Sequence, residues 1–273
     1  MTRSSWVPGC AALLLAAAGA ASESVPAAKR DPAQMDVAAI TACMRANVVD
    51  RGSVREIGLE AVDRAGNSRT LRMKLFWKPA KDGAAARTLL RVVEPADSAG
   101  AAYLAITRPE GDEVYVFVPA LGRVQRVKGD QDGSMFGTDF TWSEVKQIQG
   151  LAEAERTRRL ADAQVRDRAS FVLETAGDLE PRGTSRIRSY VDQATCTLLR
   201  SEFFRGDDVE PHKVLDAELS TLVSIDPWWL ILGYSMENRR TGTTTRLEFS
   251  DVYLRETLPE ELFDPTSFHR ATP

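Results

Sequence analysis

The spacing of apolar residues changes once, early in the chain, from a helical period to an alternating one. Val37, Ile40, Met44 and Val48 recur at intervals of three and four, with Cys43 beside the stripe, as on one face of an α-helix. Asp31-Pro32 offers an N-cap followed by a first-turn proline, so the helix is expected over residues 31–48. From Val54 the period becomes two. Ile57, Leu59 and Ala61 alternate with Glu56, Gly58 and Glu60, the turn-rich loop 63–67 follows, and Leu71, Met73, Leu75 and Trp77 alternate with Thr70, Arg72 and Lys74. This is a β-hairpin with one apolar face. Strands follow at 88–93, 101–107, 113–118 and 123–128, the third apolar on both faces through Val114, Tyr115, Val116, Phe117 and Val118. Segments 168–175, 184–192, 197–204, 214–222, 230–238 and 243–254 carry the same signature, whereas 151–164 reads as helix by propensity. About ten or eleven short strands with few helices predict a mainly β fold, an antiparallel sheet folded on itself.

The first residues belong to a different pattern. Arg3, the apolar run 10–18 and the small residues Ala18, Gly19, Ala20 and Ala21 make a secretory signal of residues 1–21. A lipoprotein box ending at Cys10 is the alternative, but that cysteine precedes the apolar run instead of closing it. The predicted location is the periplasm. Of the 273 residues, 43% are apolar and 27% charged, and the net charge is −4. Removing residues 1–21 takes away one arginine and no acid, leaving −5. No basic field is present to draw nucleic acid. Export also changes the meaning of the cysteines: Cys43 and Cys196 remain in an oxidising compartment, where a disulfide is expected and two buried thiols are the alternative.

Catalytic signatures are missing from the sequence. There is no GxSxG, no GxGxxG after a strand and no P-loop, and the two histidines, His212 and His269, stand far apart. No enzyme, metal or cofactor is predicted, and a secreted hydrolase with a dispersed carboxylate pair is the weakest reading. The acidic run 207–210 lacks the spaced ligands of a calcium loop. What does stand out is the placement of large apolar side chains. Trp77, Tyr103, Tyr115, Phe117, Met135, Phe136, Phe140 and Trp142 fall on strands and on one glycine-containing loop, 135–142. Either they cap the core beneath the sheet, or they line a ligand cavity with that loop at its mouth.

The segments RTLRMKLFW (69–77), RVVEP (91–95), DEVYVFVP (112–119), RVQRV (123–127) and MFGTDFTWSEV (135–145) resemble the bacterial outer membrane lipoprotein-sorting protein family, the LolA/LolB-like periplasmic lipoprotein carriers. The resemblance runs from about residue 40 to 270, and its most specific piece is Gly137-Thr138-Asp139-Phe140 followed by Trp142 and Glu144. It implies one LolA-like domain over 22–273: an open, strongly curved half-barrel sheet covered by a few helices above an acyl-chain cavity. It also implies β-structure, not helix, for 151–164. By the same resemblance the protein is a monomeric carrier of acyl chains of lipids or lipoproteins, working between an inner-membrane lipid-exporting transporter and an outer-membrane acceptor. A non-transporting envelope sensor or scaffold on the same fold is the competing reading. The predicted covers are the helix 31–48 and the loop 135–142; if Cys43 is bonded to Cys196, the loop is the expected moving part.

Overall fold

The structure is a computed structural model that describes residues 31–80, 85–108, 111–127, 134–148, 156–179, 183–255 and 257–271. The chain divides into two units, residues 1–34 and 35–273. The described part of the first is a single 3-10 turn, Pro32–Gln34, whose Ala33 N–H donates to the Asp31 carboxylate at 3.0 Å.

In the second unit the helix α1, Val37–Ala46, starts later than expected. Asp36, not Asp31, is its N-cap, with Oδ1 accepting from Ala39 N at 2.8 Å. Met35 before the cap and Ile40 in the first turn are both buried, the positions of a hydrophobic staple, which fixes where the chain enters the helix.

Sixteen strands are described: β1 Gly52–Val62, β2 Ser68–Lys78, β3 Ala86–Glu94, β4 Ala102–Arg108, β5 Gly111–Val118, β6 Arg123–Val127, β7 Thr157–Arg159, β8 Ala163–Val165, β9 Arg168–Leu179, β10 Thr184–Asp192, β11 Leu198–Phe204, β12 Lys213–Ala217, β13 Leu222–Ile225, β14 Trp228–Ile231, β15 Gly233–Asn238 and β16 Thr243–Arg255. A second helix, α2, spans Trp142–Ile148. Fourteen strands form one antiparallel, curved sheet in the order β6-β5-β4-β3-β2-β1-β16-β15-β12-β11-β10-β9-β7, with β8 also paired to β9. The ends of this order, β6 and β7, do not pair with each other, so the sheet is not closed into a barrel. The expected strands 214–222 and 230–238 each divide. Their outer portions, β13 and β14, leave the main sheet and pair only with each other as a hairpin. In the stretch 151–164, β7 and β8 replace the helix that propensity favours; residues 151–155 lie outside the described ones.

Period-two alternation sends neighbouring side chains to opposite faces. On one face Ile57, Leu71, Met73, Leu75, Leu90, Val114, Phe171, Phe203, Leu215, Met236 and Leu247 form the main core. The other face is treated differently in the two halves of the sheet. In β2–β5, Phe76, Leu89, Leu104 and Ile106 make a second core with Leu258, Leu262, Phe263 and Phe268 from the C-terminal segment. In β7–β12 the same face is ionic: Arg158 and Arg188 flank Glu174, and Arg200 bridges Glu202 and Asp216. The first half is therefore apolar on both faces and the second on one.

Candidate functional site

Three elements cover the concave main-core face: α1, the loop 134–141 leading into α2, and the β13–β14 hairpin. Each is held by a small set of side chains, several of which reach across the fold.

Asp139 fixes the loop. Its carboxylate accepts from Thr243 Oγ1 at 2.6 Å, Thr245 Oγ1 at 2.9 Å and Asn238 Nδ2 at 3.3 Å, while its own N–H donates to Thr245 Oγ1 at 3.0 Å. Glu144 does two jobs. Its Oε2 accepts from Thr141 N at 2.8 Å while its N–H donates to Thr141 Oγ1 at 3.4 Å, the reciprocal pattern that starts α2. The same carboxylate takes the Lys213 ammonium at 2.7 and 2.9 Å, with both side chains buried. Burial pushes the Glu144 carboxyl up from its ordinary range, and the Lys213 ammonium opposes that shift. Phe136 (φ 52°) and Gly137 (φ 73°) turn the loop through two left-handed residues, and Arg69 Nη1 donates to the Phe136 carbonyl at 3.1 Å. The loop predicted to move is thus held at several points.

Helix α1 is tied by a disulfide between Cys43 and Cys196. At its end Asn47 reaches both ways, Nδ2 donating to Thr195 O at 2.6 Å and Oδ1 accepting from Trp229 N at 3.0 Å. The second of these bonds joins the hairpin to the helix.

Between α1, the hairpin and the sheet lies a cavity of about 80 Å³, lined by Met44, Val48, Leu75, Trp77, Leu230, Ile231 and Phe249 among others. Its wall carries one charged residue, Arg55 of β1. A more open groove of about 370 Å³, with Phe136, Val116 and Ala101 in its lining, lies beside the loop.

The eight aromatic and methionine positions singled out above separate into two groups. Trp77 lines the cavity and donates Nε1–H to Val49 O at 3.0 Å. Met135, Phe140 and Trp142 are buried in the main core, Phe136 packs against it, and Tyr103 meets Trp142 with ring centroids 5.7 Å apart. Trp142 Nε1–H donates to Asp112 at 3.2 Å. Burial raises the Tyr103 hydroxyl above its ordinary value. Tyr115 and Phe117 point to the opposite face, where they pack against the second core, Phe117 stacked on His269 at 3.9 Å. The alternation that places Val114 and Val116 inward requires this.

Sequence reasoning missed Arg55, Asn47 and the hairpin residues Trp229–Leu232. For Arg55 a signal existed: it shares the face of Ile57 and Leu59, where the alternation calls for an apolar residue. Among the described residues no group of three or more His, Cys, Asp or Glu is placed to hold a metal ion, and no helix is long and apolar enough to cross a membrane.

A family model described as "Uncharacterized protein" matches residues 84–270. The chain belongs to this family. Similar solved structures give its architecture a wider setting. A DUF1329 family protein from Desulfovibrio piger has 21% sequence identity and a TM-score of 0.72, covering 82% of this chain and 94% of that one. A domain described as an outer membrane lipoprotein-sorting protein from Vibrio parahaemolyticus has 24% identity and a TM-score of 0.72, covering 85% and 97%. A LolA superfamily protein from Nitrosomonas europaea has 17% identity and a TM-score of 0.63, covering 84% and 98%. At these identities the shared property is the fold. A comparison with curated proteins finds no match. The half-barrel architecture expected from the motif resemblance is the one the family member has.

Proposed function

We propose that this family member is a periplasmic carrier that takes acyl chains of a lipid or lipoprotein into the concave face and passes them toward the outer membrane. It performs no chemistry on them and acts after loss of residues 1–21. The observation that carries this reading is the mostly apolar cavity between the sheet, α1 and the β13–β14 hairpin. Each buried CH₂ gains about 0.8 kcal/mol, so one chain of ordinary length is held firmly without any polar contact.

At about 80 Å³ the cavity lies well below the roughly 300–1,000 Å³ of sites that enclose small molecules. Loading therefore requires a cover to move. The loop 134–141 is pinned by Asp139, and α1 by its disulfide. The hairpin is the moving element, since its strands pair only with each other and its tie to α1 is the bond from Trp229 N to Asn47. Release then follows affinity: a carrier without an energy source hands cargo to whichever acceptor binds it more tightly. A transporter in the inner membrane and an acceptor in the outer membrane are the partners this reading requires.

Purification of the mature protein from a native periplasm, followed by mass spectrometry of a solvent extract, tests the proposal. An acyl-bearing ligand in about stoichiometric amount is expected, together with transfer of labelled lipid between donor and acceptor vesicles. Protein free of ligand and unable to transfer lipid overturns it.

A further inference from the structure

The cavity wall contains a cation, Arg55, that has no counterion among the described residues. Arg55 faces the main core along with Ile57 and Leu59, paired across β1–β2 with Leu75. Its Nε is buried and has no hydrogen-bond partner, and among the described residues the guanidinium makes no ion pair. The nearest compensating feature is the Phe249 ring, with the guanidinium carbon 5.9 Å from its centroid, a contact at the far limit of a cation–π interaction. Desolvation alone lowers the Arg55 pKa to about 10, so the group stays charged at neutral pH. On the same face of β1, two residues away, Ser53 is fully buried and its hydroxyl is also without a partner.

Six other arginines on this sheet are treated differently. Arg72, Arg158, Arg168, Arg188, Arg200 and Arg246 each meet a carboxylate. A charge largely withdrawn from water and left unpaired is unfavourable, and the usual remedy is a partner of opposite sign. Among the described residues Arg55 lacks one, but it lines the mostly apolar cavity between α1, the hairpin and the sheet.

We propose that Arg55 is the anion anchor of this cavity, and that the ligand is an amphiphile whose acyl chain lies among Met44, Val48, Trp77 and Leu230 while a carboxylate or phosphate pairs with the guanidinium. This rests on the carrier reading and narrows it: the cargo has an acidic group at one end of its chain. The planar fork of an arginine suits either oxyanion through two parallel N–H···O bonds.

Equilibrium binding to the delipidated mature protein, read from tryptophan fluorescence since Trp77 and Trp229 line the cavity, tests this with four probes: palmitate, hexadecan-1-ol, dipalmitoyl phosphatidic acid and dipalmitoylglycerol. The wild type is expected to bind at least one acidic probe about ten-fold or more tightly than its neutral counterpart, the scale of a charge-assisted hydrogen bond. Which acidic probe shows the larger preference identifies carboxylate or phosphate as the group recognised. Arg55→Leu is expected to lose the preference while binding the neutral probes at least as well, and Arg55→Lys to keep part of it. Equal affinity for acidic and neutral probes in the wild type overturns the anchor and leaves the carrier reading standing. A preference undiminished in Arg55→Leu overturns it as well. Failure to bind any of the four overturns the carrier reading itself, and the anchor with it. The wild-type comparison needs no variant, so a misfolded Arg55→Leu does not remove the test.

Discussion

Single side chains decide how the covering loop is held, and each contributes separately. The Glu144–Lys213 pair is buried on both sides, so removing one member leaves an uncompensated charge. Lys213→Met should therefore cost about 3–5 kcal/mol in chemical denaturation. Glu144→Leu combined with Lys213→Met should recover much of that loss, because no charge then remains buried. Recovery of nothing would mean that the Thr141 contact of Glu144 carries the stability, not the ion pair. His212 gives a pH signature of its own. Burial first, then Arg205, Lys213 and Arg240, lower its pKa from 6.5 to about 4. Between those values the unfolded chain takes up a proton that the folded one refuses. Stability is thus present above about pH 6.5 and lost as the pH falls toward 4. Melting curves should show this decline, and His212→Gln should flatten it; an unchanged slope would assign the decline to His269, which burial shifts in the same direction, or to carboxylates.

At the scale of elements, what the sequence made legible follows from how local each cause is. The hairpin β1–β2 and the strands β3–β5 were readable because strand-type patterns over seven or more residues have no competing reading. Two-faced burial in β5 was visible too, in the unbroken run Val114 to Val118, though not which face held the cavity. That assignment depends on the C-terminal segment folding back onto β2–β5, a contact across some 150 positions that no local pattern carries. The start of α1 was misplaced by five residues for a similar reason: Asp31-Pro32 and Asp36 are both good caps, and the burial of Met35 and Ile40 selects the second. The departure of β13 and β14 from the sheet left no alternation signal, since both are four residues long. Yet this hairpin is where opening is predicted. Asn47→Ala removes its bond to Trp229 and the bond to Thr195 together. The variant should take up palmitate several-fold faster in stopped-flow fluorescence, with the melting temperature lowered only slightly. Uptake at the wild-type rate would place the moving part elsewhere. The disulfide makes a companion expectation: denatured, unreduced mature protein should show no free thiol, and two thiols would release α1 as a second mobile cover.

For the molecule as a whole, the important fact is that the sheet serves two cores and that the proposed function uses one. On the proposed reading the main core must tolerate a guest, while the second core, around Phe76, Leu89, Leu104 and Phe268, has no such demand and closes β2–β5 on their other side. Its cover is short but strongly bound. Phe268 and Leu262 are fully buried, Arg91 Nη2 donates to the Phe268 carbonyl at 2.5 Å, and Glu260 pairs with both Lys78 and Arg87. This division predicts that stability and ligand binding separate by face. Phe268→Ala should cost about 3–5 kcal/mol, as removal of a fully buried phenylalanine does, and should leave palmitate affinity within about two-fold once folded protein is counted. Trp77→Ala, on the concave side, should change affinity in addition to stability. Phe117→Ala is the sharper control, because Phe117 lies in the same strand as Val116 but on the other face. A loss of ligand affinity in Phe117→Ala equal to that in Trp77→Ala would show that the two faces are coupled through the sheet, and that the outer core is part of the carrier's working surface.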